Sequence, residues 1–266
     1  MSAYWAVLSA RFRMLLQYRT AAMAGVVTQV FWGLIRVMIF TAFYDSCVDP
    51  DAIPMTRQQL IGYVWLGQAM LALLPWIRIV DADVAAMVRS GTLAYELVRP
   101  VDLYGFWFVR AVAQRGAPTL LRAVPLFIVA WLFFGLELPA PAAGAAWLAA
   151  TGGVLLLASA IATLATISTL WTLSSRGTSM LIGTIVYMLS GMLIPLPLYP
   201  EWAQGVIRLL PFRSLLDLPF RLYVGHLPPG AVLGVLAEQL IWAAALVLAG
   251  RFFLARSMRR VVVQGG

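Results

Sequence analysis

The chain of 266 residues is 62% hydrophobic and 11% charged, with a mean hydropathy of +0.88. Water-soluble domains are only about half apolar, so the solvent of this chain is lipid. All 19 basic residues are arginine; a phosphate-binding loop needs its lysine, so an ordinary nucleotide-hydrolysing site is excluded. The basic balance sits beside apolar spans rather than on a soluble basic domain, which argues against nucleic-acid binding. Cys47 and His226 are the only cysteine and histidine. They exclude an internal disulfide and a metal centre built from several such ligands, and a buried thiol with a loop histidine explains them better than a dyad.

Residues 1–18 read as a helix lying in the membrane interface. Trp5, Leu8, Phe12 and Leu15 share one face, Ser9, Arg13 and Gln17 another, and Arg11, Arg13 and Arg19 are placed to meet phosphates. Arginines interrupt the apolar stretch and no small-residue cleavage site follows, unlike a signal peptide. Apolar length then predicts six membrane spans, roughly 20–44, 59–79, 112–136, 143–172, 178–198 and 231–254. Among the arginines flanking these spans, thirteen fall on the side of the termini (Arg11, Arg13, Arg19, Arg78, Arg89, Arg99, Arg110, Arg115, Arg176, Arg251, Arg256, Arg259, Arg260) and four on the other (Arg57, Arg208, Arg213, Arg221). The positive-inside rule therefore puts both termini in the cytoplasm and the loop at 45–58, with Asp45, Asp49 and Asp51, outside.

Two charges fall within spans. Arg36 and Glu238 lie seven or eight residues below the outer end of the first and last span, about 10–12 Å deep. Either they form an ion pair or line a path, or each snorkels to the outer interface. Arg122, near the inner end of its span, reads as snorkelling.

The segment 80–111 carries Asp81 and Asp83 at the start of a short helix and Ser90-Gly91 at its end. It is either a small ordered feature that a soluble partner could grip or a solvated loop. Ala, Gly, Ser and Thr in 143–172 permit close helix packing, within the chain or beyond it. The stretch 178–227 is the most informative. Its apolar helix is broken by Ser190-Gly191 and by Pro195, Pro197 and Pro200, and two short amphipathic pieces follow, punctuated by Pro211 and Pro219. Breaks at membrane depth leave backbone groups that protein or water must satisfy, as at a pathway or an outer gate. A plain proline-marked loop is the alternative.

Together these features resemble the permease subunits of ABC-2-type transporters. The resemblance rests on the amphipathic N-terminal helix, the G-x-L-x-x-x-L-x-R-P segment at Gly91, Leu93, Leu97, Arg99 and Pro100, and a final run. That run comprises Ser190, Gly191, Pro195, Leu196, Pro200, Trp202, Leu210, Pro211, Phe212, Pro219 and Gly225, and it is the most specific of the three. The chain looks most like the subgroup in which paired permeases accompany one type of ATPase in antibiotic or lipid export.

The resemblance implies an all-α integral membrane protein, one permease domain over 1–266, in the bacterial cytoplasmic (inner) membrane. It implies a coupling helix near 82–90 that docks on a separate nucleotide-binding subunit, with Asp83, Met87, Arg89, Ser90, Gly91, Leu93, Arg99 and Pro100 as contact residues. It further implies extracellular re-entrant helices over 199–227, with Ser190, Gly191, Pro195, Pro197, Pro200, Trp202, Pro211 and Phe212 at the gate. ATP and Mg would bind the ATPase dimer, this chain would hold no cofactor, and a second permease, identical or homologous, would complete the pathway for a lipophilic drug, antibiotic or lipid-like molecule. No appended soluble or carbohydrate-binding domain is visible, which weakens a polysaccharide cargo. The rivals are a proton-coupled transporter using Glu238, and an intramembrane enzyme. The second lacks H-E-x-x-H, has Met188 where a G-x-S-G nucleophile motif wants glycine, and has no aspartate inside a span.

Overall fold

The computed structural model describes residues 3–47, 49, 53–77, 79–98, 100–172 and 175–259. Arg78, Arg99, Asp51 and Arg260, which the sequence reading used, lie outside them. The described chain is helical throughout. In order it runs through α1 (Ala3–Leu16), α2 (Arg19–Ser46), α3 (Arg57–Met70), α4 (Ala82–Ser90), α5 (Ala94–Leu97), α6 (Leu103–Phe133) and α7 (Pro141–Thr172). Then come α8 (Ser175–Leu189), α9 (Glu201–Ile207), α10 (Asp217–Tyr223) and α11 (Val232–Met258), with single 3-10 turns before α9, α10 and α11.

Four helices are long and apolar enough to cross a membrane: Arg19–Ser46, Leu103–Phe133, Pro141–Thr172 and the last helix with its leading turn, Pro229–Met258. The other two expected spans, 59–79 and 178–198, are shorter helices. α3 stops at Met70 and gives way to turns ahead of Pro75, while α8 stops at Leu189. Their irregular continuations are mostly buried in protein, as backbone at membrane depth has to be when no helix satisfies it. α6 begins nine residues before the expected span, because Asp102 caps it: its side chain accepts from the Gly105 N–H at 2.8 Å.

α7 is the axis of the bundle. In its most apolar window 61% of residues are buried, against 17% for α2 and for α11, so α2 and α11 lie at the rim and α7 at the centre. Its alanines and glycines let α11 and α6 approach closely, and its small residues therefore serve packing within the chain. α3, although short, is almost wholly internal; Trp65 at its middle stacks on Phe134 at 5.0 Å and donates to the Phe134 carbonyl at 3.2 Å. Gly33 of α2 exists to admit that indole, since a Cβ there would stand 2.5 Å from its Cζ3.

One end of the bundle gathers α1, α4, α5, the start of α6 and the ends of α7 and α11 around Val84, Leu93, Tyr104, Trp107, Ile167 and Leu254. The opposite end gathers the start of α7, α10 and the start of α11. α1 packs along α6 and shows the expected two-faced character with a rotated face. Val7 and Phe12 turn inward, whereas Trp5 is 56% exposed.

Adjacent glycines of α7 make a sharp test. A Cβ at Gly152 meets nothing, but one at Gly153 would collide with the Gln239 amide, whose Nε2 donates to the Ala150 and Ser214 carbonyls. Gly152→Ala should leave the melting temperature in detergent unchanged or raised. Gly153→Ala should lower it, at a cost of about 1–3 kcal/mol for overpacking.

Candidate functional site

Two polar assemblies interrupt the apolar bundle, one at each end. At the α1/α4 end the organiser is Arg110. Its guanidinium is buried and makes contacts to three carboxylates: Nε and Nη2 to Asp81 (2.9 and 3.0 Å), Nη2 to Asp83 (3.0 Å) and Nη1 to Glu96 (3.1 Å). Each acid has further partners. Asp81 Oδ1 accepts the Asp83 and Val84 N–H groups and so caps α4, while the Asp81 N–H donates to Thr166 of α7. Glu96 accepts from the Trp107 indole at 2.7 Å, and Asp83 accepts from Arg11 of α1 at 2.7 Å. Burying a charge is tolerated only when it is paired and hydrogen-bonded, and here three acids and two arginines close on each other.

This clamp fixes α4, which Gly91 ends in the left-handed conformation (φ 74°). It also sorts the candidate contact residues. Arg89, Ser90, Gly91 and Pro100 are exposed, as are Ala82, Ala86, Tyr95 and Val98. Leu93 is buried and Met87 packs against the same apolar cluster, so both support the helix from beneath. Asp83 is half exposed but already held by two arginines. Arg110 and Glu96 were not singled out as a pair from sequence; only their separation in the fold shows it. A groove of about 360 Å³ lies alongside, lined by Val7, Arg11, Met14, Glu96, Phe106 and Arg110.

The second assembly holds the broken stretch together. At Gly191 (φ 87°) the chain leaves α8, and a Cβ there would strike the Tyr63 hydroxyl. That hydroxyl donates to Asp217 Oδ1 at 2.9 Å, which also accepts the Leu196 N–H; the Asp217 N–H donates to the Ser190 carbonyl at 3.1 Å. Asp217, 1% exposed, is thus the peg on which the break is hung, with Arg221 as its ionic partner at 3.4 Å. An acid four residues before an arginine in an apolar run was its only sequence signal. Gln204 donates to the Pro197 and Tyr199 carbonyls, and Tyr199 to that of Met188. Ser190, Pro195 and Pro211 are buried, Pro197 and Phe212 partly so, while Pro200 and Trp202 are exposed, Trp202 by 79%. His226 accepts from Arg221 Nε at 3.0 Å through Nδ1, leaving Nε2–H for the Pro54 carbonyl at 2.8 Å.

The intramembrane charges do not pair with each other. Arg36 donates to the Met192 and Leu193 carbonyls freed by the break, the latter at 2.6 Å. Glu238 instead receives Arg213 (Nε at 2.8 Å) and the Ser214 hydroxyl. The reason is the break itself: it exposes carbonyls that need a donor and brings Arg213 back to the depth of Glu238. Nor does Arg122 simply snorkel. Its guanidinium lies against Gly25 of α2, where a Cβ would stand 3.1 Å from Nε. No group of three or more metal-ligating side chains occurs among the described residues.

A family model described as "ABC-2 family transporter protein" matches residues 61–265. No curated protein and no solved structure matches the chain.

Two outcomes follow from this geometry. Arg110→Met leaves buried Asp81 and Glu96 without their cation, Asp83 keeping Arg11, and should cost about 3–5 kcal/mol, read as a large fall in melting temperature. The Arg11 hydrogen bond, outweighing partial burial, holds the Asp83 carboxyl below its ordinary range. A lowered folded value means the α1–α4 tie is in place above the unfolded value of about 3.9 and is lost as pH falls through the folded one. Arg11→Gln should move the Asp83 titration upward in carboxyl-detected NMR.

Proposed function

Because the chain belongs to the ABC-2 transporter family, we propose that it is the permease subunit of an ATP-driven exporter, forming half of the translocation pathway. ATP and its Mg bind on a separate ATPase dimer, and a second permease, identical or homologous, completes the path. The family is a transport component rather than an enzyme, and the long apolar helices fit a multi-pass membrane protein. In this reading α3 and α8, extended by their buried turns, complete six crossings. The arginine-rich α1/α4 end then faces the cytoplasm of a bacterial inner membrane, both termini with it.

The observation that carries the reading is the Arg110 clamp. It makes α4 a rigid lever attached to α6, α7 and α1, so a push on its exposed face moves the bundle rather than bending a loop. That face (Ala82, Ala86, Arg89, Ser90 and Gly91, flanked by Tyr95, Val98 and Pro100) is the proposed docking surface; Arg99, a contact residue by resemblance, lies outside the described residues. Nucleotide-driven closure of the ATPase dimer would shift α4 and switch the path between inward- and outward-facing states. Re-entrant segments around α9 and α10, gated at Ser190, Gly191, Pro195, Pro197, Pro200, Trp202, Pro211 and Phe212, would cap the path outside. Its cargo would be a lipophilic drug, antibiotic or lipid-like molecule. Proton coupling through Glu238 is disfavoured because its carboxylate oxygens are already taken up by Arg213 and the Ser214 hydroxyl.

Affinity purification of the tagged chain from its native membrane should bring down a P-loop ATPase in stoichiometric amount, with ATPase activity in the eluate. Ala86→Arg, on the exposed face of α4, should remove that subunit while leaving the melting temperature of the chain unchanged. A wild-type chain that purifies without an ATPase would overturn the proposal.

A further inference from the structure

Most acids among the described residues engage an arginine. Asp81, Asp83 and Glu96 engage Arg110 and Arg11; Asp102 engages Arg251, Asp217 engages Arg221, and Glu238 engages Arg213. Arg36 has no acid but is met by two carbonyls freed at the break; the seam between α2 and α6 supplies neither kind of partner across it. Arg115 and Arg122 stand two helical turns apart on one face of α6 and form no ion pair among the described residues. Arg115 is 3% exposed with Nε unpartnered, and its Nη1 reaches only the Ala111 carbonyl of its own helix. Arg122 also leaves a buried Nε unpartnered. On α2, Gln29 is 4% exposed, and neither atom of its amide has a partner. It sits one turn beyond Gly25, the residue against which the Arg122 guanidinium lies.

An unpaired cation at membrane depth costs several kcal/mol on insertion scales, and unsatisfied buried amide groups add to that. Among the described residues no acid forms an ion pair here, Asp81 acting on Arg115 only at longer range, although arginines are paired with acids at both ends of the bundle. We propose that the seam binds the anionic head group, phosphate or carboxylate, of an amphiphile taken from the membrane. Arg122 supplies charge-assisted donors and Gln29 its amide, with Arg115 a second cation two turns away on α6. The level of the seam fits such a ligand: Phe12 of the interfacial helix α1 lies against Gly116, between the two arginines in sequence. The route fits as well. Around the seam both helices present apolar side chains outward, Met23 and Val27 on α2 and Leu120 and Val124 on α6, so a ligand arriving from the side brings an apolar chain. This deepens the exporter reading by naming a ligand class, but the binding itself depends on neither ATP nor a partner subunit.

The purified chain in neutral detergent is titrated with fluorescent phosphatidylglycerol and, separately, fluorescent phosphatidylcholine, without ATP or ATPase. The wild type should prefer the anionic probe by about tenfold or more, as expected for charge-assisted hydrogen bonds. Arg122→Gln and Gln29→Leu should each bring the two affinities to within about threefold of each other. Arg208→Gln, at an exposed position away from the seam, should keep the preference. Melting temperatures tell lost binding from lost folding, and Gln29→Leu, which removes polarity without breaking an observed bond, serves if the arginine variant fails to fold. Equal affinity for the two probes in the wild type, or a preference that survives in both variants, would overturn the proposal. Displacement of the anionic probe by excess inorganic phosphate would do the same for the amphiphile, identifying a free anion as the ligand; retention of the probe supports it. Because the assay contains no ATPase, its failure leaves the exporter reading standing, and failure of copurification leaves this binding result standing.

Discussion

A buried guanidinium can be kept only where its donors are matched by acceptors, and Arg110 meets that demand with three acids from two separate segments. Asp81, just before α4, Asp83 in its first turn, and Glu96 in α5 have no other reason to converge on the N-terminal third of α6. Because Asp81 also caps α4 and takes hold of Thr166, the same interaction orients the helix and docks it on α7. Arg11 adds a cation beside the three acids and brings α1 into the group. The whole end of the molecule is therefore a single electrostatic unit wrapped in the Trp107, Leu93 and Leu254 cluster.

At the other end the constraint is backbone rather than charge. Leaving α8 at Gly191 frees the Met192 and Leu193 carbonyls and the Leu196 N–H in an apolar setting, where each would be costly unpaired. Arg36 takes the carbonyls and Asp217 takes the N–H, so two residues with the look of transport chemistry are employed in holding a broken chain. Glu238 is similarly occupied with Arg213. The two assemblies lie at opposite ends of α6 and α7, and those long helices are the continuous material between them. A clamped helix stands at one end and a propped-open chain at the other, with α7 as the packed axis between them.

How much of this could be read beforehand differs by element. The four long helices and the short helix at 82–90 were legible because apolar length and capping residues are local signals: about 20 apolar residues for a span, Asp81 before α4, Gly91 after it. The positions of Gly191 and the prolines likewise announced the break at 190–200. α3 and α8 are shorter than the spans 59–79 and 178–198 because hydropathy does not register Pro75, and because the break announced at Ser190-Gly191 falls inside the second of these. The inward face of α1 was rotated for a related reason: Trp5 is apolar enough to be buried, but α6 offers its contact to Val7 and Phe12 instead.

The candidate site divides along the same line. Composition alone determined that this chain lives in lipid, holds no nucleotide-hydrolysing loop and spans the bilayer as helices, because those properties depend on residue types and local periodicity. Which charges meet was decided only by the tertiary structure. Arg36 and Glu238 lie at matching depths in sequence terms, yet depth is one coordinate, and pairing also requires two helices to face each other at hydrogen-bonding distance. Arg110 finds acids 14, 27 and 29 residues away because the turns between α4, α5 and α6 fold them back. Arg122, Arg115 and Gln29 form no ion pair or hydrogen bond with an acid among the described residues, because neither α2 nor α6 carries one beside them. An electrostatic interaction falls off within a few ångströms, so its partners are chosen by the fold, and no spacing along the chain could have chosen them.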